Sequence, residues 1–224
     1  IIGFCMGVCN GFAIPVAQRF GAKDEHGMRK FVANSVWLSI IFAVVMAVLV
    51  CVFCRQILEL MNTPEDIIDG SYSYIFVIFL GIPATYMYNL LSGIMRSLGD
   101  SKTPLYLLIF SSILNIILDL LSIIVLKMGV AGAAWATVIA QAVSGFCCLG
   151  VIWRKFPILH VQREEWQPDK ICILNLCNMG IPMGLQYSIT AIGSVIIQAA
   201  VNSLGSVAVA SVAAAVKINM FLCC

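Results

Sequence analysis

The sequence predicts an all-α fold, a polytopic bundle of membrane helices, and two observations support that prediction. Of the 224 residues, 61% are hydrophobic and 11% are charged, whereas a soluble domain carries about 25% charged residues. The apolar residues also form long runs, and an α-helix needs roughly 20 apolar residues to cross a bilayer. A soluble globular domain, a disordered segment and a nucleic-acid-binding protein are therefore excluded.

Six apolar stretches are long enough to be full or nearly full membrane spans, and a truncated seventh begins near Val207. The strands of a β-barrel are only about 10 residues long, so each run predicts a helix. Because the seventh run is incomplete at residue 224, we expect the chain to be a fragment of a longer membrane protein. The six predicted spans are residues 1–18, 31–53, 72–95, 105–126, 130–153 and 171–201.

Glycine and proline positions predict how the spans pack and bend. Gly7 and Gly11 lie four residues apart, as do Gly180 and Gly184, and this spacing lets helix backbones approach closely. Proline removes a backbone hydrogen bond and allows a kink. Three prolines, Pro15, Pro83 and Pro182, interrupt predicted spans and allow such kinks.

Basic residues predict the orientation of the bundle. Ten of the 13 Lys and Arg residues fall in alternate loops on one side, whereas the opposite loops hold Arg55 and Lys127. The side richer in Lys and Arg is cytoplasmic in membrane proteins. The longest link, residues 154–170, lies on that side. We expect it to join a first lobe (residues 1–153) to the start of a second lobe (residues 171–224).

Cysteines, histidines and motifs give no indication of an enzyme. The ten cysteines lie in apolar runs, where cysteine packs as a small hydrophobe. Cys51 and Cys54 form a C-x-x-C motif without the second ligand pair of a metal site. His26 and His160 lie in loops, and the sequence has no H-E-x-x-H, G-x-S-x-G or P-loop motif. We expect no enzyme activity, no cofactor and no metal beyond a coupling ion.

Asp119 lies in the middle of a predicted span. An ionised aspartate there costs about 2.5–3.5 kcal/mol on insertion scales, so such a residue is a functional candidate by default. Asn115 and Ser122 flank it at helical spacing and share its face. A carboxylate beside an amide oxygen can coordinate Na⁺ or hold a proton. The alternative is a protonated aspartate that makes only an interhelical hydrogen bond.

Polar stripes on other spans predict a shared interior. Polar side chains are costly against lipid, so they are expected to line a cavity or a helix–helix seam. Several stripes together favour a water-filled central cavity. The residues predicted to line it are Tyr86, Asn89, Gln141, Gln186, Thr190, Ser194 and Gln198.

Four stretches resemble the multidrug and toxic compound extrusion (MATE) family of the MOP flippase superfamily. They are GFAIPVAQRFGA at residues 11–22, RSLGDSKTP at 96–104, NIILD with GVAGAAWAT within 115–137, and GIP with NSLG within 180–205. The resemblance spans nearly the whole chain. It implies a twelve-helix protein with two six-helix lobes facing each other in a V. This chain would cover helices two to seven and the start of eight.

The resemblance also implies a function and a site. It indicates a cation-coupled (H⁺ or Na⁺) antiporter, in the plasma (inner) membrane of a bacterium, that exports amphipathic or cationic drugs by alternating access. The family's cation site in the first lobe corresponds here to Asn115, Asp119 and Thr137. Thr190 stands where one branch has a Glu in helix seven, which shifts coupling towards the first lobe. Expected partners are small amphipathic molecules and membrane lipid, without nucleic acid, and the protein is expected to be a monomer.

Two other functions stay open. A lipid-linked oligosaccharide flippase of the same superfamily would line its cavity with several Arg or Lys side chains, and Lys217 is the one candidate. A membrane sensor or assembly subunit would not transport anything. Such a subunit would not need an acid and several polar stripes directed at one cavity.

Overall fold

The structure is a computed structural model that describes residues 2–60, 65–202 and 212. Within these ranges the side chains of residues 57, 59, 60, 65–69, 198, 199 and 202 are not described. All regular secondary structure in those ranges is helical, so the predicted all-α fold is confirmed. A π-helical turn (Leu121–Val125) continues α6, and a 3₁₀ turn (Pro157–Leu159) follows α7. The α-helices are α1 (Ile2–Gly21), α2 (Glu25–Val52), α3 (Cys54–Leu60), α4 (Glu65–Leu80), α5 (Ile82–Ser97), α6 (Lys102–Leu120), α7 (Gly129–Lys155) and α8 (Lys170–Asn202).

Several of these helices are long and apolar enough to cross a membrane. In the described part of the chain four pass that test alone, namely α2, α6 with its π-turn, α7 and α8, and α4 with α5 forms a broken fifth span. The predicted first span is a helix of 20 residues, α1, but it is not among them. Asn10, Gln18 and several glycines lower its apolar content, and it packs between α5 and α8. The predicted seventh span, near Val207, lies outside the described residues.

The predicted span at residues 72–95 is bent at Gly81. Its two parts, Gly70–Leu80 and Ile82–Ser97, meet at 44°. Pro83 lies in the first turn of α5, where a missing backbone N–H is tolerated. A side chain at Gly81 would collide with Val138 of α7, so the small residue also lets α7 approach the bend. The kink that Pro83 allows is therefore observed.

Glycines bring α1 and α8 into close contact. A Cβ added to Gly11 would lie 2.5 Å from the Cα of Gly180, and one added to Gly7 would lie 2.8 Å from the Cα of Gly184. Neither backbone can yield without moving a whole helix. The predicted close packing is confirmed, and it joins the first helix of the chain to α8, which lies beyond the predicted lobe linker.

The link between α7 and α8 is anchored to the start of α2 through a buried carboxylate. Glu165 is only 2% exposed. Its oxygens accept hydrogen bonds from Arg29 Nε at 2.9 and 3.0 Å and from the backbone N of Gln162 at 2.8 Å, and Oε1 lies 2.9 Å from His26 Nδ1. Burial raises the pKa of Glu165, but these hydrogen bonds outweigh it and hold the pKa below its usual range. The link is thus docked on the bundle.

A second ion pair joins the end of α7 to the loop between α5 and α6. Lys155 Nζ lies 2.6 Å from Asp100 Oδ2, and Asp100 also accepts hydrogen bonds from the backbone and hydroxyl of Thr103. Lys155 and Thr103 hold the pKa of Asp100 well below its usual range. Gly99 has a φ of +83°, which ends α5 in the left-handed conformation that favours glycine. The loops grouped by the basic-residue count therefore lie at one end of the bundle, and their cytoplasmic location stays a prediction.

Replacing Gly11 by Ala is expected to destabilise the protein, because the new methyl group has no space against Gly180. Overpacking of this kind costs about 1–3 kcal/mol. The matched control is Gly150→Ala, since nothing lies within 4 Å of a Cβ at that exposed helical position. Thermal unfolding of the full-length protein in detergent should show a lower midpoint for Gly11→Ala only. Equal midpoints for the two variants would contradict the packing described here.

Glu165→Gln is expected to loosen the link, because the amide leaves at least one buried donor unpaired, at a cost of about 1–3 kcal/mol. Hydrogen exchange of residues 156–169 should speed up, and Glu164→Gln, at the exposed neighbour, should leave it unchanged. The Glu165 carboxylate stabilises the docked link fully above the usual glutamate pKa of about 4.3. This stabilisation is lost as the pH falls through the lowered pKa of Glu165. Acid should therefore loosen the link in the wild type but not in Glu165→Gln.

Candidate functional site

The seam between α6 and α7 brings two of the predicted cation-binding residues together. Asn115 Nδ2 donates a hydrogen bond to Thr137 Oγ1 at 3.3 Å. The same hydroxyl donates to the carbonyl of Ala133, one turn earlier on α7, at 3.0 Å. The bond to Ala133 uses the hydroxyl proton of Thr137, so a lone pair on Oγ1 is free to accept the hydrogen bond from the Asn115 amide. The seam also holds Ser111, whose hydroxyl donates to the carbonyl of Ala140 at 3.5 Å.

Asp119 lies one turn beyond Asn115 and is half-buried. Its Oδ1 atom is buried and has no hydrogen-bond partner among the described residues. Neighbouring side chains of α6 are more than half exposed, with Ile116 at 58%, Ile117 at 54% and Leu120 at 55%. Asp119 therefore lies at the edge of the exposed face of α6, and one oxygen of its carboxyl group is an enclosed acceptor that no described group satisfies.

The helix changes its hydrogen-bonding pattern directly after Asp119. Residues Leu121–Val125 form a π-helical turn, a feature that occurs frequently at functional sites. Ser122, within that turn, is 7% exposed. A Cβ on Gly132 of α7 would lie 3.0 Å from the Cβ of Ser122. The π-turn was not predicted, because the apolar run at residues 105–126 contains no proline or glycine to mark it.

A half-open cavity of about 740 Å³, which we call the central cavity, lies among α1, α4, α5, α6 and α7. Ligand sites typically measure about 300–1,000 Å³. Three predicted site residues line this cavity, namely Thr137, Gln141 and Asn89. Gln141 Oε1 is buried and has no hydrogen-bond partner in the described part of the chain, whereas Asn89 Nδ2 donates to the carbonyl of Thr85 at 2.8 Å. Thr137 thus belongs to both features, since it bonds Asn115 in the seam and lines the cavity.

Other predicted cavity residues lie elsewhere. Tyr86 is 2% exposed and borders a separate, apolar cavity of about 310 Å³ between α2, α5 and α7. On α8, Gln186, Thr190 and Ser194 are exposed and border none of the described cavities. The hydroxyls of that stripe donate to carbonyls one turn earlier on their own helix. The side chain of Gln198 lies outside the described residues.

Three polar residues that the sequence analysis did not assign to the site connect the cavity to α8. Arg96 lines the cavity, and its Nη2 donates to Asn10 Oδ1 on α1 at 3.4 Å. Asn10 Nδ2 in turn donates to Tyr187 Oη on α8 at 3.3 Å. Arg96 and Asn10 are separated by 86 residues, so spacing along the sequence could not reveal the contact.

Comparison with known proteins agrees with this architecture. The sequence profile of the MatE family matches residues 1–121, just over half of the chain. The chain belongs to the MatE family. A crystal structure of MATE in complex with MaL6 shares the fold, with a TM-score of 0.89 and 24% identity over 98% of this chain and 49% of that chain.

Two Bacillus subtilis (strain 168) proteins are also similar to this MATE chain. The probable multidrug resistance protein YoeA is 32% identical over 221 residues, which is 94% of this chain and 47% of YoeA. The probable multidrug resistance protein YpnP is 31% identical over 223 residues, which is 99% of this chain and 49% of YpnP. The chain therefore spans about half the length of these relatives. Its family and its several apolar helices make it a multi-pass membrane protein.

Gln141→Met is expected to keep or raise thermal stability. The buried Oε1 has no partner among the described residues, and removing an unsatisfied polar atom is neutral or stabilising. Methionine has a similar length and fills the space without a polar group. Thermal unfolding of the full-length protein would test this effect. A clear loss of stability would show that the amide has a partner within the bundle.

Proposed function

We propose that this protein is a cation-coupled antiporter that exports amphipathic drugs and toxic compounds by alternating access. Asp119, with Asn115 and Thr137, would bind the coupling ion, either H⁺ or Na⁺. The proposed location is the plasma membrane of a bacterium, with residues 154–170 on the cytoplasmic side. The proposed partners are small amphipathic molecules and membrane lipid.

The observation that supports this proposal is the unsatisfied carboxylate oxygen of Asp119, buried one turn from the Asn115–Thr137 contact. A buried acceptor without a donor is costly, and an incoming proton or cation removes that cost. Thr137 also borders the central cavity. Ion binding in the seam would therefore alter a residue on the cavity wall, which is the coupling that an antiporter requires.

The driving force is sufficient for this task. One proton that crosses about 100 mV supplies about 2.3 kcal/mol, and each unit of pH difference adds about 1.36 kcal/mol. A tenfold concentration gradient of a neutral substrate requires about 1.4 kcal/mol. A single coupled proton can therefore maintain a tenfold or larger gradient.

The flippase alternative requires a different cavity. A lipid-linked pyrophosphate would need several basic side chains, and the described wall of the central cavity carries one, Arg96. Lys217, the basic residue named for that alternative, lies outside the described residues. The cavity therefore favours export of smaller amphipathic molecules.

Asp119→Asn in the full-length protein should lower dye efflux at least tenfold without loss of expression. The amide keeps the size of the side chain but can neither take up a proton nor attract a cation. Glu164→Gln, an exposed acid outside the cavities, is the control and should transport normally. Efflux is measured in proteoliposomes under Na⁺ and pH gradients imposed separately.

The same measurement identifies the coupling ion, because only the gradient of that ion should drive wild-type efflux. Wild-type rates in Asp119→Asn would refute the assigned ion site. If neither gradient drives dye movement in the wild type, the antiporter function itself is wrong, and the sensor or assembly role gains support.

A further inference from the structure

Arg96 is a feature of the central cavity that the proposed ion coupling does not use. It lies near the end of α5 and is exposed, and it is the one charged side chain on the described part of the cavity wall. Its polar neighbours on that wall include Tyr88, Asn89 and Ser92, which are all neutral. The described wall therefore carries a net positive charge.

The guanidinium has little to bind within the described part of the protein. Its hydrogen bond to Asn10 Oδ1 is long, at 3.4 Å, and no described carboxylate forms an ion pair with it. By contrast, Arg19, Arg29 and Lys155 at the same end of the bundle all have carboxylate partners. Arginine carries five N–H donors in a planar fork, so most of those on Arg96 are available to a ligand.

A charge in this position selects among ligands. A cleft lined by one sign of charge with apolar walls concentrates ions of the opposite sign, and an arginine fork matches a carboxylate with two parallel hydrogen bonds. The remaining lining, which includes Ile75, Ile78 and Phe79, suits an apolar body. A molecule with only positive charge would gain nothing from Arg96 and would be repelled.

We propose that Arg96 binds the carboxylate of the exported molecule, so that the preferred substrates are amphiphiles that carry a carboxylate, including zwitterions. This inference rests on the proposed efflux function and specifies its substrate class. Arg96 acts on substrate recognition, whereas Asp119 acts on ion coupling. The two residues should therefore affect different kinetic quantities.

Two dyes that differ only at the carboxylate provide the test. Rhodamine B carries a free carboxylate and is a zwitterion, and its ethyl ester is a cation. Initial efflux rates over a range of dye concentrations give KM for each dye in proteoliposomes with the full-length protein. For Arg96→Gln, KM for rhodamine B should rise at least about tenfold, as expected for the loss of a charge-assisted hydrogen bond. KM for the ester should stay the same or fall.

Further variants separate recognition from general effects. Arg96→Lys keeps the charge without the fork and should give an intermediate KM for rhodamine B. Arg163→Gln removes an exposed charge on the link that lines none of the described cavities, and should change neither KM. Normal efflux of the ester by Arg96→Gln also shows that this variant folds.

Two results would overturn the inference and leave the efflux function intact. One is an equal change in KM for both dyes in Arg96→Gln, and the other is an unchanged KM for rhodamine B. If the wild type exports neither dye under either gradient, the proposed efflux function fails, and the inference fails with it.

Discussion

A carboxyl group inside a membrane is costly, and the structure encloses one oxygen of such a group, Asp119 Oδ1. Most of α6 carries exposed, large apolar side chains, yet this oxygen is buried without a hydrogen-bond partner among the described residues. The amide of Asn115, one turn earlier, already donates to Thr137. In the proposed mechanism the unsatisfied oxygen would be available to an ion.

Two contacts join the first helices to the link and to α8. The glycines of α1 and α8 allow backbone contact that leaves no room for a side chain between these helices. The buried carboxylate of Glu165 holds the link against α2. The polypeptide on both sides of Lys170 is therefore packed against the first two helices.

The proposed ion site and the cavity are separate but adjacent. Thr137 belongs to both, because its hydroxyl bonds Asn115 and its side chain borders the cavity that also contains Arg96. In the proposed mechanism, an ion that enters the seam would change the hydrogen bonding of Thr137 and so the wall that contacts the substrate. The positive charge at Arg96 would then be the part of the wall that distinguishes one substrate from another.

Composition and periodicity determined the fold class, most of the spans, the kink at Pro83 and the candidate acid, because these depend on local hydrophobicity and on backbone groups within one helix.

The tertiary structure decided which polar faces meet. Tyr86 and Asn89 lie close in the sequence but border different cavities, and the polar stripe of Gln186, Thr190 and Ser194 on α8 borders none of the described cavities. Arg96, counted from the sequence as a loop charge, lines the cavity because α5 ends beside it. Packing between helices that are far apart in the sequence decides which cavity a side chain lines, and the spacing of residues along the chain does not reveal that packing.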